Sequence, residues 1–211
     1  MKKILLLIAA LAAACRAWGQ GTSEAIPDYN QSVVALPQSA TAGWTFEATT
    51  NLMALDLGCF TNVFLNNPVT DVRVGLWAPD GSLLASTDVT PASTLFGHSL
   101  YAAINPVALS PGQIYHVGIF APPNGSLTLD ASVAGDFSTT PDISVRGTAL
   151  STAAGFAFPV EVLDPSAGTP DGAIYAGPNF RYQEGVPEPS AGLLLCLGGL
   201  LLVARRRAQR P

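Results

Sequence analysis

The central part of the chain, residues 20–186, has no lysine, and its three arginines stand against fourteen acidic residues. The other seven basic residues lie in the first 19 or the last seven positions. The central part therefore has a formal charge of −11. Nucleic-acid-binding proteins need clustered Lys and Arg to neutralise phosphates, so this charge argues against that class. Without lysine, the central part also lacks a phosphate-binding Gly-Lys-Ser/Thr loop and a Schiff-base nucleophile.

Cysteine is equally scarce, since Cys15 and Cys196 lie near the two ends and only Cys59 lies in the central part. No disulfide can form within residues 20–186, so a hydrophobic core must supply their stability. A stretch of 167 residues is long enough for one domain with such a core. Cys59 continues an apolar alternation through Leu55 and Leu57, which predicts a small buried side chain and not a reactive thiol.

The first 19 residues have the three parts of a secretory signal peptide. Lys2 and Lys3 are followed by an apolar run from Ile4 to Ala14. Small residues then precede a predicted cleavage by signal peptidase between Gly19 and Gln20. The alternative is lipidation of Cys15, although the leucine of its lipoprotein-like box stands one position too far from the cysteine.

The last 26 residues also have three parts: a short polar motif, an apolar run over 191–204 and a cluster of arginines. The apolar run would span only about 21 Å as a helix, against about 30 Å for the hydrocarbon core of a bilayer. Its flanks nevertheless favour a transmembrane helix, because a basic end is typical of the cytoplasmic side. We therefore predict a membrane anchor followed by a cytoplasmic tail, 205–211. The motif is Val186-Pro187-Glu188-Pro189-Ser190, and the basic cluster comprises Arg205, Arg206, Arg207 and Arg210.

This C-terminal arrangement resembles the PEP-CTERM sorting signal of Gram-negative bacteria. The resemblance implies that an exosortase, a membrane-embedded processing enzyme, removes the tail near Pro187-Glu188-Pro189. It also implies transient anchoring in the inner membrane, and then a place in the cell envelope, on the outer surface or in the extracellular matrix of a biofilm. Exopolysaccharide is left open as a further partner. The alternative is an ordinary C-terminal anchor.

Between these ends, frequent Gly and Pro separate short segments of alternating apolar and polar residues. This spacing predicts an all-β fold, an antiparallel β-sandwich over 43–183, with a lead-in over 20–42 and a linker over 184–190. The clearest hairpin joins Asp71–Ala78 to Ser82–Val89 through the turn at Pro79-Asp80-Gly81.

The central part resembles a bacterial extracellular β-sandwich domain of unknown function. The resemblance is carried by turn glycines and core aromatics in residues 43–46, 74–77 with 80–86, 109–118 and 175–182. These motifs imply a fold, and no catalytic residues come with them.

Residues for chemistry are few, and we predict no cofactor and no metal. His116 is interpreted as a hydrogen-bonded strand histidine, and His98 as a loop residue without a partner nearby in sequence. A zinc site would require these two histidines to meet Cys59 in space. A glycosidase would require a carboxylate pair such as Asp71 with Glu47 or Asp56. A calcium site could use loop acids, but a solvated acidic surface is the favoured interpretation of Asp80, Asp130, Asp136, Asp142, Asp164 and Asp171.

The aromatic residues are the remaining candidates for ligand binding. Trp44 and Phe46 share one face of their segment and are predicted to be buried. Trp77 lies opposite the apolar face of its strand, so it is the candidate for a ligand-binding face, with core packing as the favoured alternative. The sequence thus predicts a non-enzymatic structural or interaction protein. The alternative predictions are a carbohydrate-binding module and a secreted hydrolase.

Overall fold

The computed structural model describes residues 21–29, 32–35, 40–67, 69–120, 128–132, 137–153, 155–160 and 174–185. These residues form β-strands joined by turns, with a single short helix, α1, at Asn62–Asn66. The strands are β1 Ser23–Glu24, β2 Asp28–Tyr29, β3 Ser32–Ala35, β4 Thr41–Ala48, β5 Leu52–Phe60, β6 Val72–Trp77, β7 Leu83–Val89, β8 Thr94–Phe96, β9 Ser99–Leu109, β10 Ile114–Phe120, β11 Thr128–Ser132, β12 Phe137–Ser138, β13 Ile143–Ser151, β14 Ile174–Tyr175 and β15 Pro178–Glu184.

Two five-stranded antiparallel sheets make up most of the fold, as expected for a β-sandwich. Sheet I has the order β1-β15-β5-β9-β8, and sheet II has the order β13-β4-β10-β6-β7. Two smaller ladders, β14-β11-β3 and β12-β2, complete the described strands. Sequence-distant strands therefore lie side by side, which places residues near both ends of the described chain in sheet I.

The core between the sheets is rich in aromatic residues. Trp44 and Phe46 of β4 are fully buried, as predicted. The ring of Phe180 in β15 stacks on both, with centroid distances of 6.0 Å to Trp44 and 4.8 Å to Phe46. The Trp44 indole also donates a 2.9 Å hydrogen bond to the Pro178 carbonyl, so its polar atom is satisfied. Cys59 is buried too, and burial raises the pKa of its thiol.

The predicted hairpin is confirmed, since β6 and β7 pair antiparallel across the turn at 78–82. Gly81 has a φ of +85°, which explains why glycine follows Pro79-Asp80 there. The hydroxyl and amide of Ser82 donate to the Asp80 carboxylate and lower the pKa of that side chain.

The sandwich begins before residue 43, where the sequence analysis placed its start. β1 pairs with β15, and Ala25 and Ile26 are fully buried. The side-chain amide of Asn179 accepts a hydrogen bond from the Ile26 amide (3.1 Å) and donates one to the Ile26 carbonyl (2.8 Å). Part of the predicted lead-in is therefore an integral edge of sheet I.

In the part of the chain that the structure describes, no helix has the length and apolar character needed to cross a membrane. The predicted signal peptide, anchor and basic tail lie outside the described residues.

Candidate binding site on the outer face of sheet II

The outer face of sheet II, opposite the core, carries three rows of residues set by strand register. Gly118 of β10 lies between Gly43 of β4 and Gly75 of β6. In the next row, His116 lies between Thr45 and Trp77. Beyond it, Ile114 is opposite Glu47. Strand alternation thus places small residues in one row and larger, partly polar residues in the two that follow.

The glycine row leaves space that aromatic rings fill. A β-carbon added at Gly75 would lie 2.5 Å from both the Phe156 and the Trp77 rings. One added at Gly118 would lie 3.3 Å from the Trp77 ring. Gly75 and Gly118 lie inside β6 and β10, where a glycine allows close approach of other groups.

Residues 155–160, here called the strap, cross this face. The ring of Phe156 contacts Trp77 at a centroid distance of 5.1 Å and Phe120 at 6.3 Å. Phe158 lies 6.5 Å from Trp77. The Ala157 amide donates a 3.2 Å hydrogen bond to the Thr41 hydroxyl. Two phenylalanines and one hydrogen bond therefore hold the strap against the sheet.

Trp77 points to the outer face, as its alternation predicted, but it is not available to a ligand. It is only 3% exposed, because the strap covers its ring. The speculative ligand face at Trp77 is therefore not formed, and the favoured interpretation, packing, accounts for this residue. The covering residues lie almost 80 positions further along the chain, so the local alternation contained no sign of them.

The prediction for His116 is wrong in one respect, its hydrogen bonding. Its Nδ1 atom is buried and has no hydrogen-bond partner among the described residues, contrary to the prediction of a hydrogen-bonded histidine. Its ring meets Phe158 edge-on, with centroids 4.7 Å apart. Burial lowers the pKa of the imidazole below its ordinary value of 6.5, because burial disfavours the charged ring. The side chain is therefore uncharged at neutral pH.

Beside the strap, a pocket of about 370 Å³ remains open on this face. We call it the outer pocket, and it is lined by Thr45, Pro79, Ile114, His116 and Arg146. Ile114 is 43% exposed although it is apolar. Arg146 forms an ion pair with Glu47, the neighbour of Ile114 across the sheet. The pocket thus combines an apolar surface with a charge-compensated polar edge, and its volume is in the range of small-molecule sites.

A second polar cluster lies on the outer face of sheet I. Arg181 donates two hydrogen bonds to Asp56 Oδ2, from Nε at 3.1 Å and from Nη2 at 2.8 Å, and its guanidinium stacks on Tyr101. The Tyr101 hydroxyl donates a 2.8 Å hydrogen bond to Glu24, which is only 7% exposed. Burial raises the pKa of Glu24, and the hydrogen bond from Tyr101 opposes this. These contacts join β1, β5, β9 and β15. The polar groups of the cluster therefore have a structural role.

The other candidate residues are dispersed. His98 is exposed in the turn between β8 and β9, Cys59 is buried in β5, and His116 lies on sheet II. Within the described residues, no group of three or more His, Cys, Asp and Glu side chains could hold a metal ion. Asp71 is exposed before β6, while Glu47 and Asp56 are engaged in ion pairs on different sheets.

Some of the predicted positions cannot be located on this fold. Gly19, Gln20, the motif 186–190 and the arginines of 205–211 lie outside the described residues, as do Asp136, Asp164 and Asp171.

No protein-family model matches the chain, and no curated protein matches it in sequence. The outer pocket and the strap are thus known only from the geometry above. Sequence reasoning missed both. The one available signal was Gly75 inside the predicted strand Asp71–Ala78, since a glycine within a strand is typical of positions where another group approaches the backbone.

Proposed function

We propose that this protein is exported, sorted by an exosortase-type enzyme and displayed at the cell surface or in the extracellular matrix, in an exopolysaccharide or biofilm setting. Its body, residues 20–186, has a non-enzymatic structural or interaction role. The proposal rests on the sequence of the two ends, with a leader before Gln20 and the motif Val186-Pro187-Glu188-Pro189-Ser190 before an apolar run and arginines. Signal peptidase, the exosortase and, transiently, the membrane are its partners.

The observation that best supports this proposal is the pairing of β1 with β15. The two strands are antiparallel, and Ser23 lies opposite Tyr182. The chain before Ser23 and the chain after Tyr182 therefore leave sheet I at the same end. A leader and an anchor attached at these points would meet the bilayer on one side of the body.

The described part of the body reaches Gly185, the residue before the motif. The Gly185 amide donates a 2.6 Å hydrogen bond to the Asn51 carbonyl, and Glu184 is the last residue of β15. Cleavage near Pro187-Glu188-Pro189 would leave this last contact in place. The body could therefore fold before processing and stay folded after it.

The non-enzymatic role is favoured by the use of the polar groups. Asp56 and Glu47 form ion pairs with arginines, and Glu24 accepts a hydrogen bond from Tyr101. A glycosidase would need two of these carboxyl groups to face one cleft. Glu47 lies on sheet II, on the opposite side of the sandwich from the other two. Asp56 and Glu24 belong to one cluster on sheet I, where Arg181 holds Asp56 and Tyr101 holds Glu24.

The test is mass spectrometry of the exported protein from a host that has an exosortase and from the same host without it. We expect a product that begins at Gln20 and ends near Pro187-Glu188-Pro189 only when the enzyme is present. Glu188→Ala should leave the tail attached and the protein in the inner membrane. Glu184→Ala, which removes an exposed acid four residues earlier, is the matched control and should be processed normally.

Three results would contradict the proposal. They are a tail retained in the presence of the enzyme, equal processing of Glu188→Ala and the wild type, or a diacylglyceryl group on Cys15. The last result would identify a lipoprotein instead.

A further inference from the structure

The outer pocket lies on sheet II next to the strap, whose Phe158 contacts the lining residue His116. Phe156 fills the space over Gly75, and both Phe156 and Phe158 contact the ring of Trp77. The pocket begins at His116 and extends over Ile114, which stays 43% exposed, towards Pro79. An apolar side chain so exposed in a concave site, next to a partly buried ring, favours a ligand with an apolar face.

Charge restricts the ligand further. Among the described residues, Arg146 is the only charged side chain that lines the pocket, and Glu47 compensates it. His116 is uncharged at neutral pH, so the pocket has no net charge of its own. An anionic ligand would meet a body of formal charge −11, and a cationic ligand would have to compete with Arg146 for Glu47. These conditions favour an uncharged ligand.

The polar edge of the pocket favours a ligand that also forms hydrogen bonds. The side chains of Arg146 and Glu47 are 49% and 26% exposed, so their ion pair is open to solvent on one side. A guanidinium has five N–H donors and a carboxylate has four acceptor sites, so one ion pair leaves most of them free. An uncharged ring with one apolar face and a rim of hydroxyl groups satisfies both requirements. A pyranose sugar is such a ring.

We propose that the outer pocket binds one pyranose unit of a neutral glycan, with its apolar face on Ile114 and Pro79 and its hydroxyl groups on Arg146 and Glu47. This inference deepens the proposed function, because it identifies the ligand class that a body displayed in a polysaccharide matrix would hold. The proposed site is not at Trp77 but at the neighbouring surface formed by His116, Thr45 and Ile114. The strap then has a defined role, since it supports the His116 ring through Phe158.

The test uses the full chain in a sugar-free detergent and saturation-transfer NMR with the methyl glycosides of glucose, mannose and galactose. Galacturonate serves as an anionic probe, and a proline-rich peptide as a probe for a peptide site. We expect saturation transfer to at least one neutral glycoside and retention of the protein on a matrix of the corresponding neutral polymer. Neither the galacturonate nor the peptide should bind as tightly.

Two variants locate the site. Ile114→Ser should weaken binding about tenfold, because the sugar loses its apolar contact. Arg146→Gln should weaken it by a similar factor through lost hydrogen bonds. Leu95→Ser is the matched control, since Leu95 is 62% exposed on β8 of the other sheet, and it should bind like the wild type.

The proposal is overturned if no neutral glycoside binds, if galacturonate or the peptide binds more tightly, or if Leu95→Ser weakens binding as much as Ile114→Ser. Failure here is separable from failure of the proposed function. A chain that is processed normally but binds no sugar contradicts only the glycan inference. A chain that binds sugar but keeps its tail contradicts only the sorting proposal.

Discussion

The ring of Phe156 lies against Gly75, at the place where a residue other than glycine at this position would have its β-carbon. The side chain of Arg73, two residues earlier on the same outer face, contacts the same ring with its guanidinium at 5.1 Å from the centroid. A glycine inside the strand thus makes room for an aromatic ring from a distant segment. The same strap carries Phe158 to the ring of His116, which lines the outer pocket.

Gly75→Ala should therefore destabilise the protein. The added methyl group would lie 2.5 Å from the rings of Phe156 and Trp77, so at least one ring must move. Overpacking of this kind costs about 1–3 kcal/mol, which chemical denaturation can measure. Gly21→Ala is the control, because nothing lies within 4 Å of a β-carbon there.

A double variant tests the cause. Phe156→Ala should recover part of the loss in Gly75→Ala, since the two residues are in contact and their effects are not additive. Additive losses would contradict the contact between ring and glycine.

Trp77→Ala should lower the melting temperature and the free energy of unfolding. The side chain is 3% exposed between the sheet and the strap, and truncation of a buried tryptophan costs about 3–5 kcal/mol. Leu95→Ala, at a 62% exposed position, is the comparison and should change stability by about 1 kcal/mol or less. A Trp77 variant as stable as the wild type would return this residue to the list of ligand-binding candidates.

The parts of the fold that the sequence predicts are those with local signals. The β6–β7 hairpin follows from alternation on both sides of Pro79-Asp80-Gly81, because period-two burial and turn chemistry are both local. Burial of Trp44 and Phe46 follows in the same way. Each depends on residues within about ten positions of one another, so no knowledge of distant strands is needed.

The parts that the sequence does not predict depend on contacts between distant segments. Ile26 and Asn179 are 153 positions apart, and nothing near either residue indicates their pairing. The strap raises the same difficulty, because Phe156 and Phe158 lie outside any alternating run. The alternation of β6 therefore offers Trp77 as a speculative ligand face, which the strap covers, and gives no sign of the outer pocket beside it.

Asn179→Ala should release the N-terminal edge of sheet I. The Asn179 side chain bonds both the amide and the carbonyl of Ile26, which is fully buried. Loss of both bonds leaves two buried backbone groups unpaired, each at a cost of about 1–3 kcal/mol. Hydrogen exchange should show faster exchange of the Ile26 amide, and denaturation should show a loss on the order of 3 kcal/mol.

The comparison variant is Asn51→Ala, which removes an exposed asparagine side chain near the end of β15. It should leave exchange at Ile26 unchanged. If Asn179→Ala also left that exchange unchanged, then β1 would be held by other contacts.

The stability of the protein should depend on pH through His116. Burial lowers the pKa of this side chain below its ordinary value of 6.5, so the unfolded chain takes up a proton more readily than the folded one. The resulting contribution to stability is fully present above pH 6.5 and decreases as the pH falls towards the lowered pKa. His116→Phe keeps a ring against Phe158 and removes this titration, so the wild type should lose stability relative to the variant as the pH falls from 7.5 to 5. Denaturation at each pH measures that difference, and NMR of the imidazole should give a midpoint below 6.5. A midpoint at or above 6.5, or identical pH profiles for the two proteins, would show that the His116 ring is not buried beneath the strap.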